Sequence, residues 1–320
     1  MLRHRLILGP IMIVGLVVVL YVDSVLERVD ISGTWLQTIL GGQTHLPPGL
    51  GILALSLVLI VPAGREFGAI LRANGVAIGG AGVVVAAVIG LLLIYMIPAG
   101  LDVTTALAVY ATGFGAVFAM ALLMHSRRRE PDGAAAAGGA ALLAMVYLGV
   151  LPSFYLAMRF EHAVWVIAAA IGVTKFCDIG AYFTGRAIGR HKLIPWLSPG
   201  KTWEGLVGGM VAAGIVGAVL AAAGNASGLV GQWVSVDGAR EFRAVAYPVG
   251  LAAVAGMVLG GVGQLGDLVE SLFKRDAGVK DSGRAVPGFG GVLDVVDSPI
   301  IVAPVAFWLL RWMGDGGVTG

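Results

Sequence analysis

Between Gly263 and Ser298 an otherwise apolar chain gathers acids, bases, hydroxyls and glycines: GQLGDLVESLFKRDAGVKDSGRAVPGFGGVLDVVDS. Asp267, Glu270 and Lys274 stand at i, i+3 and i+7. On a helix they form one stripe, with Ser271 beside them and Arg275 one turn beyond Ser271. Asp294 and Asp297, at i and i+3, share a face of the next hydrophobic run. Four lipid-facing carboxylates at about 2.5–3.5 kcal/mol each would cost on the order of 10 kcal/mol. The acids are therefore expected to face a protein interior or a water-filled cavity. Carboxylates on two helices joined by a glycine-rich connection suit Mg²⁺, which takes carboxylate, water and substrate phosphate as ligands. Lys274, Arg275, Lys280 and Arg284 bring positive charge to the same mouth, as a polyphosphate requires. Gly288, Gly290 and Gly291 let backbone N–H groups approach an anion at the following helix N-terminus. The competing reading is a solvated loop of internal ion pairs. It suits Asp276, Lys280, Asp281 and Arg284 better than Asp267 and Asp294, whose insertion cost needs a compensating partner.

A second constellation runs from Asp178 to Gly209, DIGAYFTGRAIGRHKLIPWLSPGKTWEGLVGG. Asp178 continues an apolar run and is expensive unless it faces inward. Arg186, Arg190, His191, Lys192 and Lys201 form a basic cluster suited to an anionic headgroup or nucleotide, or simply to a cytoplasmic loop. Ser198, Pro199, Gly200, Lys201, Thr202 and Glu204 read as a tight turn and helix start. This is not a P-loop, which would need glycine at Pro195. Cys177, the one cysteine, reads as a buried apolar side chain.

The elements that must position these groups are membrane spans. With 58% hydrophobic and 12% charged residues over 320 positions and a mean hydropathy of +0.91, the chain cannot cover a water-facing surface and reads as an all-α polytopic membrane bundle. A net charge of +2 is too small to imply nucleic acid, and one cysteine excludes an intramolecular disulfide. Apolar runs predict about nine spans: five over 1–157 and four over a C-terminal catalytic region, 158–320. The first is read as a retained helix over residues 6–22. The second covers 49–63, with Arg65, Glu66 and Arg72 just beyond it, and the third covers 76–97 and ends at Pro98. Arg127, Arg128 and Arg129 mark a cytoplasmic loop. With a cytoplasmic N-terminus, alternation then places the loops near Arg65, Arg186 and Lys274 on that side, and those near Asp23, Asp102, Glu161 and Asp237 outside. The segment 225–243 reads as a polar loop.

At these residues the sequence resembles the phosphatidate cytidylyltransferase (CDP-diacylglycerol synthase) family of integral membrane enzymes. The C-terminal signature is matched by Ser271, Lys274, Arg275, Lys280, Asp281, Gly283, Pro287, Gly288, Gly290, Gly291, Asp294 and Asp297, preceded by Gly266, Asp267, Leu268 and Glu270. Two upstream elements are matched by Asp178, Ala181, Tyr182, Gly185, Arg186 and Gly189, and by Ser198, Pro199, Lys201, Thr202, Glu204, Gly205, Gly208 and Gly209. Phe289 stands where the family has histidine and Val295 where it has arginine, which removes a proton donor and a phosphate-pairing cation. The resemblance covers the C-terminal half in detail. It implies CTP + phosphatidate → CDP-diacylglycerol + pyrophosphate in the cell (inner) membrane, with Mg²⁺ in one or two copies. The implied metal ligands are Asp267, Asp294 and Asp297. Lys201, Lys274, Arg275 and Lys280 would neutralise phosphates, Ser198, Thr202 and Ser271 would donate hydrogen bonds, and Asp178 would position Arg186 or a substrate. The expected partners are CTP, phosphatidate and the lipid bilayer, with a homodimer as one open assembly. Two other readings remain at this point: a CTP-dependent polyprenol or phytol kinase, and an ion transporter whose intramembrane acids are an ion path.

Overall fold

The computed structural model describes residues 2–40, 43–97, 102–236 and 239–317. It is an all-α bundle with two small antiparallel hairpins. In chain order the elements are α1 (Leu2–Leu26), α2 (Trp35–Ile39), α3 (Leu50–Ala73), α4 (Gly80–Leu92, running into a 3₁₀ turn, Leu93–Met96), α5 (Val103–Ser126) and α6 (Ala134–Ala144). A π-helical turn (Met145–Val150) leads into α7 (Leu151–Glu161) and α8 (Val164–Ile188). The hairpin β1 (Lys192–Ile194) and β2 (Ser198–Thr202) precedes α9 (Trp203–Ser227), and a second hairpin, β3 (Gly231–Val236) and β4 (Ala239–Ala244), precedes α10 (Val249–Asp276) and α11 (Leu293–Gly317).

Among the described residues, eight helices are long and apolar enough to cross a membrane. The expected third span is the exception. Gly80–Met96 offers 17 residues, of which four are 3₁₀, and reaches about 28 Å, just under a hydrocarbon core of about 30 Å. Its expected end at Pro98 lies outside the described residues, as does the expected outside loop at Asp237. The second span does not stop at residue 63. α3 continues through Pro62 to Ala73, so Arg65, Glu66 and Arg72 ride on the helix rather than beyond it. The expected polar loop at 225–243 is largely the β3–β4 hairpin, paired from Gly231↔Ala244 to Val236↔Ala239.

Small residues set the helix spacing around the site. A Cβ on Gly256 of α10 would lie 2.5 Å from the Ala213 carbonyl oxygen of α9, and one on Gly209 of α9 would lie 2.6 Å from the Cys177 carbonyl oxygen of α8. Neither leaves room for a side chain, so α8, α9 and α10 pack backbone to backbone. Gly266 does the same between α10 and α11, where a Cβ would meet the Asp297 carbonyl oxygen at 2.8 Å. That contact brings Asp267 and Glu270 against the first turns of α11. The ends of the bundle sort as the charge pattern predicts. Glu66, two turns before the end of α3, and Asn74, just beyond it, touch the α10–α11 connection and Asp276, whereas Asp23, in the last turn of α1, meets Arg159, in the last turn of α7.

Candidate active site

Asp267 and Glu270 on α10 and Asp297 on α11 place one carboxylate oxygen each within 4.8 Å of one another. Glu270 and Asp297 are buried and Asp267 is half-buried. Such convergence is repulsive unless a cation sits nearby. Two lysines supply part of that charge: Lys201 pairs with Asp267 at 2.6 Å, and Lys274 pairs with Glu270 one turn before it. Lys201 comes from β2, and its Nζ also donates to the Gln264 carbonyl at 3.1 Å, which fastens the hairpin across α10.

Asp294, expected beside Asp267 as a metal ligand, stands outside the trio. Its Oδ1 takes the Lys274 ammonium at 2.6 Å, and its Oδ2 accepts from Ser282 N (3.0 Å), Ser282 Oγ (2.8 Å) and Gly291 N (2.7 Å). Both oxygens are thus committed to holding Lys274 and the α10–α11 connection. The physical reason is position along the axis: Asp294 lies one turn nearer the loop than Asp297, within reach of the free backbone N–H groups of Ser282 and Gly291. Glu270 occupies the place in the trio that the sequence pattern gave to Asp294.

Asp178 on α8 accepts from Gln264 Nε2 at 2.6 Å and lies 3.7 Å from Lys175 Nζ, which also donates to the Val295 carbonyl at 3.3 Å. It does not meet Arg186, whose Nη1 donates to the Tyr182 hydroxyl at 2.9 Å on the exposed side of α8. Thr202 is buried as the N-cap of α9, its Oγ1 accepting from Gly205 N at 3.1 Å. Ser198 lies half-buried on β2 and Ser271 half-buried on α10. Arg275 donates to the Leu197 and Val279 carbonyls at 3.4 and 3.2 Å, which ties the mouth of α10 to the β1–β2 connection, and Lys280 is exposed at that mouth. Phe289 reaches towards α1, its ring 3.8 Å from where a Cβ on Gly9 would stand.

Four participants were not legible as site residues. Glu66 caps α11 from α3: its oxygens accept from Val292 N (3.0 Å), Leu293 N (2.9 Å) and Ser282 Oγ (3.2 Å). The sequence signal was an acid on what proved to be the continuation of an apolar helix. Lys175, the lone cation of its run, and Gln264, an amide one turn before Asp267, carried similar signals. Tyr147 has a buried hydroxyl without a hydrogen-bond partner among the described residues, within electrostatic reach of Asp297, Glu270 and Asp267. Its ring is wedged between Phe67 and Phe273.

The donor set fits a hard divalent cation, since all three converging groups are carboxylates. Glu270 supplies a sharper test: its Oε1 is buried with no hydrogen-bond partner among the described residues, an acceptor that a cation would satisfy.

A sequence profile described as the cytidylyltransferase family matches residues 27–313, nearly the whole chain. The chain belongs to that family. Among this cytidylyltransferase's curated relatives, a phosphatidate cytidylyltransferase of Staphylococcus saprophyticus is 39% identical over 169 residues, 53% of this chain and 57% of the relative. One of Haemophilus influenzae is 38% identical over 143 residues, 45% of this chain and 44% of the relative. The uncharacterized protein YnbB of Escherichia coli is 38% identical over 172 residues, 54% of this chain and 50% of the relative. The chain thus spans about half the length of the curated relatives it matches.

Proposed function

We propose that this cytidylyltransferase joins CTP to phosphatidate, giving CDP-diacylglycerol and pyrophosphate, in the cell membrane and with its site open to the cytoplasm. The observation that carries the reading is the convergence of Asp267, Glu270 and Asp297 between apolar helices, rimmed by Lys201 and Lys274. The names of the Staphylococcus saprophyticus and Haemophilus influenzae relatives support the substrate pair, and the arginine-rich 127–129 loop supports the membrane side.

In this reaction a phosphate oxygen of phosphatidate attacks the α-phosphorus of CTP. The bond from that phosphorus to the bridging oxygen breaks, and pyrophosphate leaves with the electron pair. No protein nucleophile is required, so the protein's task is to bring two anions together and neutralise them. A divalent cation such as Mg²⁺, held by Asp267, Glu270 and Asp297, would supply the charge that the lysines leave unmet. Lys201 and Lys274 exchange part of their carboxylate pairing for phosphate oxygens. Asp294 and Glu66 hold Lys274 and the α10–α11 connection in register. Arg275 and Lys280 receive the triphosphate at the mouth, while Ser198, Ser271 and the hydroxyl hydrogen of Thr202 donate to it. Asp178 orients Gln264 and Lys175 behind the site, and exposed Arg186 draws the anionic lipid headgroup.

The test is purified protein in detergent with CTP, Mg²⁺ and phosphatidate, followed for pyrophosphate and CDP-lipid, with Asp297→Asn alongside. Turnover is expected in the wild type and its near-complete loss in the variant. An unchanged rate in Asp297→Asn would remove the metal assignment. CDP with a phosphorylated lipid alcohol would point instead to a kinase, and ion flux in sealed vesicles without nucleotide turnover to a transporter.

A further inference from the structure

A second polar feature lies away from the acidic trio, in a cavity of about 220 Å³ between α4, α5 and α6. Its walls are mostly alanine, glycine and methionine, yet two basic side chains, His125 and Arg128, line it. His125 is 4% exposed, and neither ring nitrogen has a hydrogen-bond partner among the described residues. A buried imidazole left so is costly unless something in the cavity answers it. The volume far exceeds the roughly 10–15 Å³ that admits one water.

The other groups at the cavity are also donors. Ile78, Gly79 and Gly82 bring the first turn of the 13-residue α4 to its wall, and no side chain caps that helix. The cap residue Gly79 and first-turn Gly82 thus set the positive end of the helix dipole beside the cavity. The C-terminal turn of α5 also borders the cavity, and its His125 and Ser126 carbonyls accept from Arg128 N (2.9 Å) and Arg129 N (3.1 Å). Arg128 itself is exposed and makes no ion pair among the described residues, although Glu130 and Asp132 follow it in the chain. Imidazole, guanidinium and an uncapped helix start converge on one small space, which is the chemistry of an anion site.

We infer that this cavity binds a phosphate group, held by His125, Arg128 and the α4 N-terminus, and that an anionic phospholipid headgroup or a free phosphate ester is its source. Arg127 and Arg129 flank the entrance in sequence and add attraction for an anionic bilayer surface. The Asn74–Asp276 hydrogen bond, 2.5 Å, ties the α3–α4 turn to the end of α10, so the cavity sits at the same end of the bundle as the catalytic mouth. It is nevertheless separate from it, sharing none of the residues placed in the reaction.

The experiment uses full-length protein in dodecyl maltoside, titrated separately with dioleoyl phosphatidylglycerol, dioleoyl phosphatidylcholine, glycerol 3-phosphate and inorganic phosphate. Thermal unfolding and the number of ligands retained in native mass spectrometry are read for each. Phosphatidylglycerol is expected to raise the unfolding temperature saturably with one tightly retained lipid, and phosphatidylcholine to do neither. Arg128→Gln should weaken the apparent affinity about five- to tenfold, the loss of one charge-assisted contact. Arg127→Gln, off the cavity wall, should change it less than about twofold, and CTP turnover should be unaltered by Arg128→Gln. His125→Asn should abolish retention; if that variant does not fold, the two arginine variants decide the matter. Saturation by glycerol 3-phosphate or inorganic phosphate with the same Arg128 dependence assigns the site to a free phosphate. Equal responses to both lipids, no response to any anion, or equal losses in the two arginine variants would overturn the inference.

Discussion

Among the described residues two buried ionic clusters lie at opposite ends of the bundle, and they are built on opposite plans. At one end Arg159, fully buried, gathers its partners around a single cation: Asp23 at 2.6 Å, Glu27 at 2.5 Å and the His162 carbonyl at 3.2 Å, while Asp23 also accepts from Gly51 N at 2.7 Å. At the other end Asp267, Glu270 and Asp297 turn towards one another, and the lysines stand at the edge. Gly51 and Glu66 mark the two ends on α3, fifteen residues or about 22 Å apart. The first arrangement satisfies itself and fastens α1, α3 and α7. The second leaves like charges facing one another, with Glu270 Oε1 unpartnered among the described residues, and it is there that the proposed cation would sit. Both are costly to bury, so cost alone does not tell them apart; the direction in which the carboxylates point does.

Substitutions should divide along the same line. Asp267→Asn is expected to lower the proposed CDP-lipid formation by about 10³-fold or more, because charge stabilisation at the phosphates would be lost, while the unfolding temperature holds or rises as like-charge crowding is relieved. A large stability loss with activity retained per folded molecule would erase the distinction. Arg159→Met should do the reverse. Leaving Asp23 and Glu27 buried without their cation should cost about 3–5 kcal/mol, read as earlier unfolding in detergent, with kcat per folded molecule little changed.

Glu66→Gln tests the link between the ends, since an amide cannot accept from three donors with both of its heteroatoms. Turnover should fall about 10–100-fold with a smaller change in unfolding temperature, the mark of a positioning residue. The smallest effect expected is of pH. Burial lowers the His162 pKa from 6.5 to about 4, its Nδ1 lying 2.9 Å from the Tyr247 hydroxyl. The unfolded chain takes up that proton first, so the stabilisation is present above about pH 6.5 and is lost as pH falls towards 4. From pH 6.5 to 5.5 the loss should be about 1 kcal/mol, absent in His162→Gln.

How much of this was legible varies from residue to residue. Lys201 and Lys274 were expected at the phosphates and lie beside the trio, since a cation among intramembrane acids has few other uses. Glu270 was seen in the stripe but not assigned, because i, i+3 spacing shows that two acids share a face and not which of them meets a third on another helix. Asp294 carried the same spacing and went to the loop. Glu66 was missed because its helix was ended too early, where polar residues followed the apolar run. The polar residues there serve the bundle end rather than terminate the helix.

The sequence by itself determined that this is an all-α membrane bundle, and it pointed to the carboxylates and lysines near the α10–α11 connection as the candidate site. Those conclusions follow from composition and from spacing along one helix, which the chain fixes locally. Only the tertiary structure decided which carboxylates converge, that Glu66 reaches across from the first half of the chain to cap α11, and that Arg159 closes the far end. Those outcomes depend on how closely glycine-lined helices approach and at what rotation, and no distance along the chain encodes that.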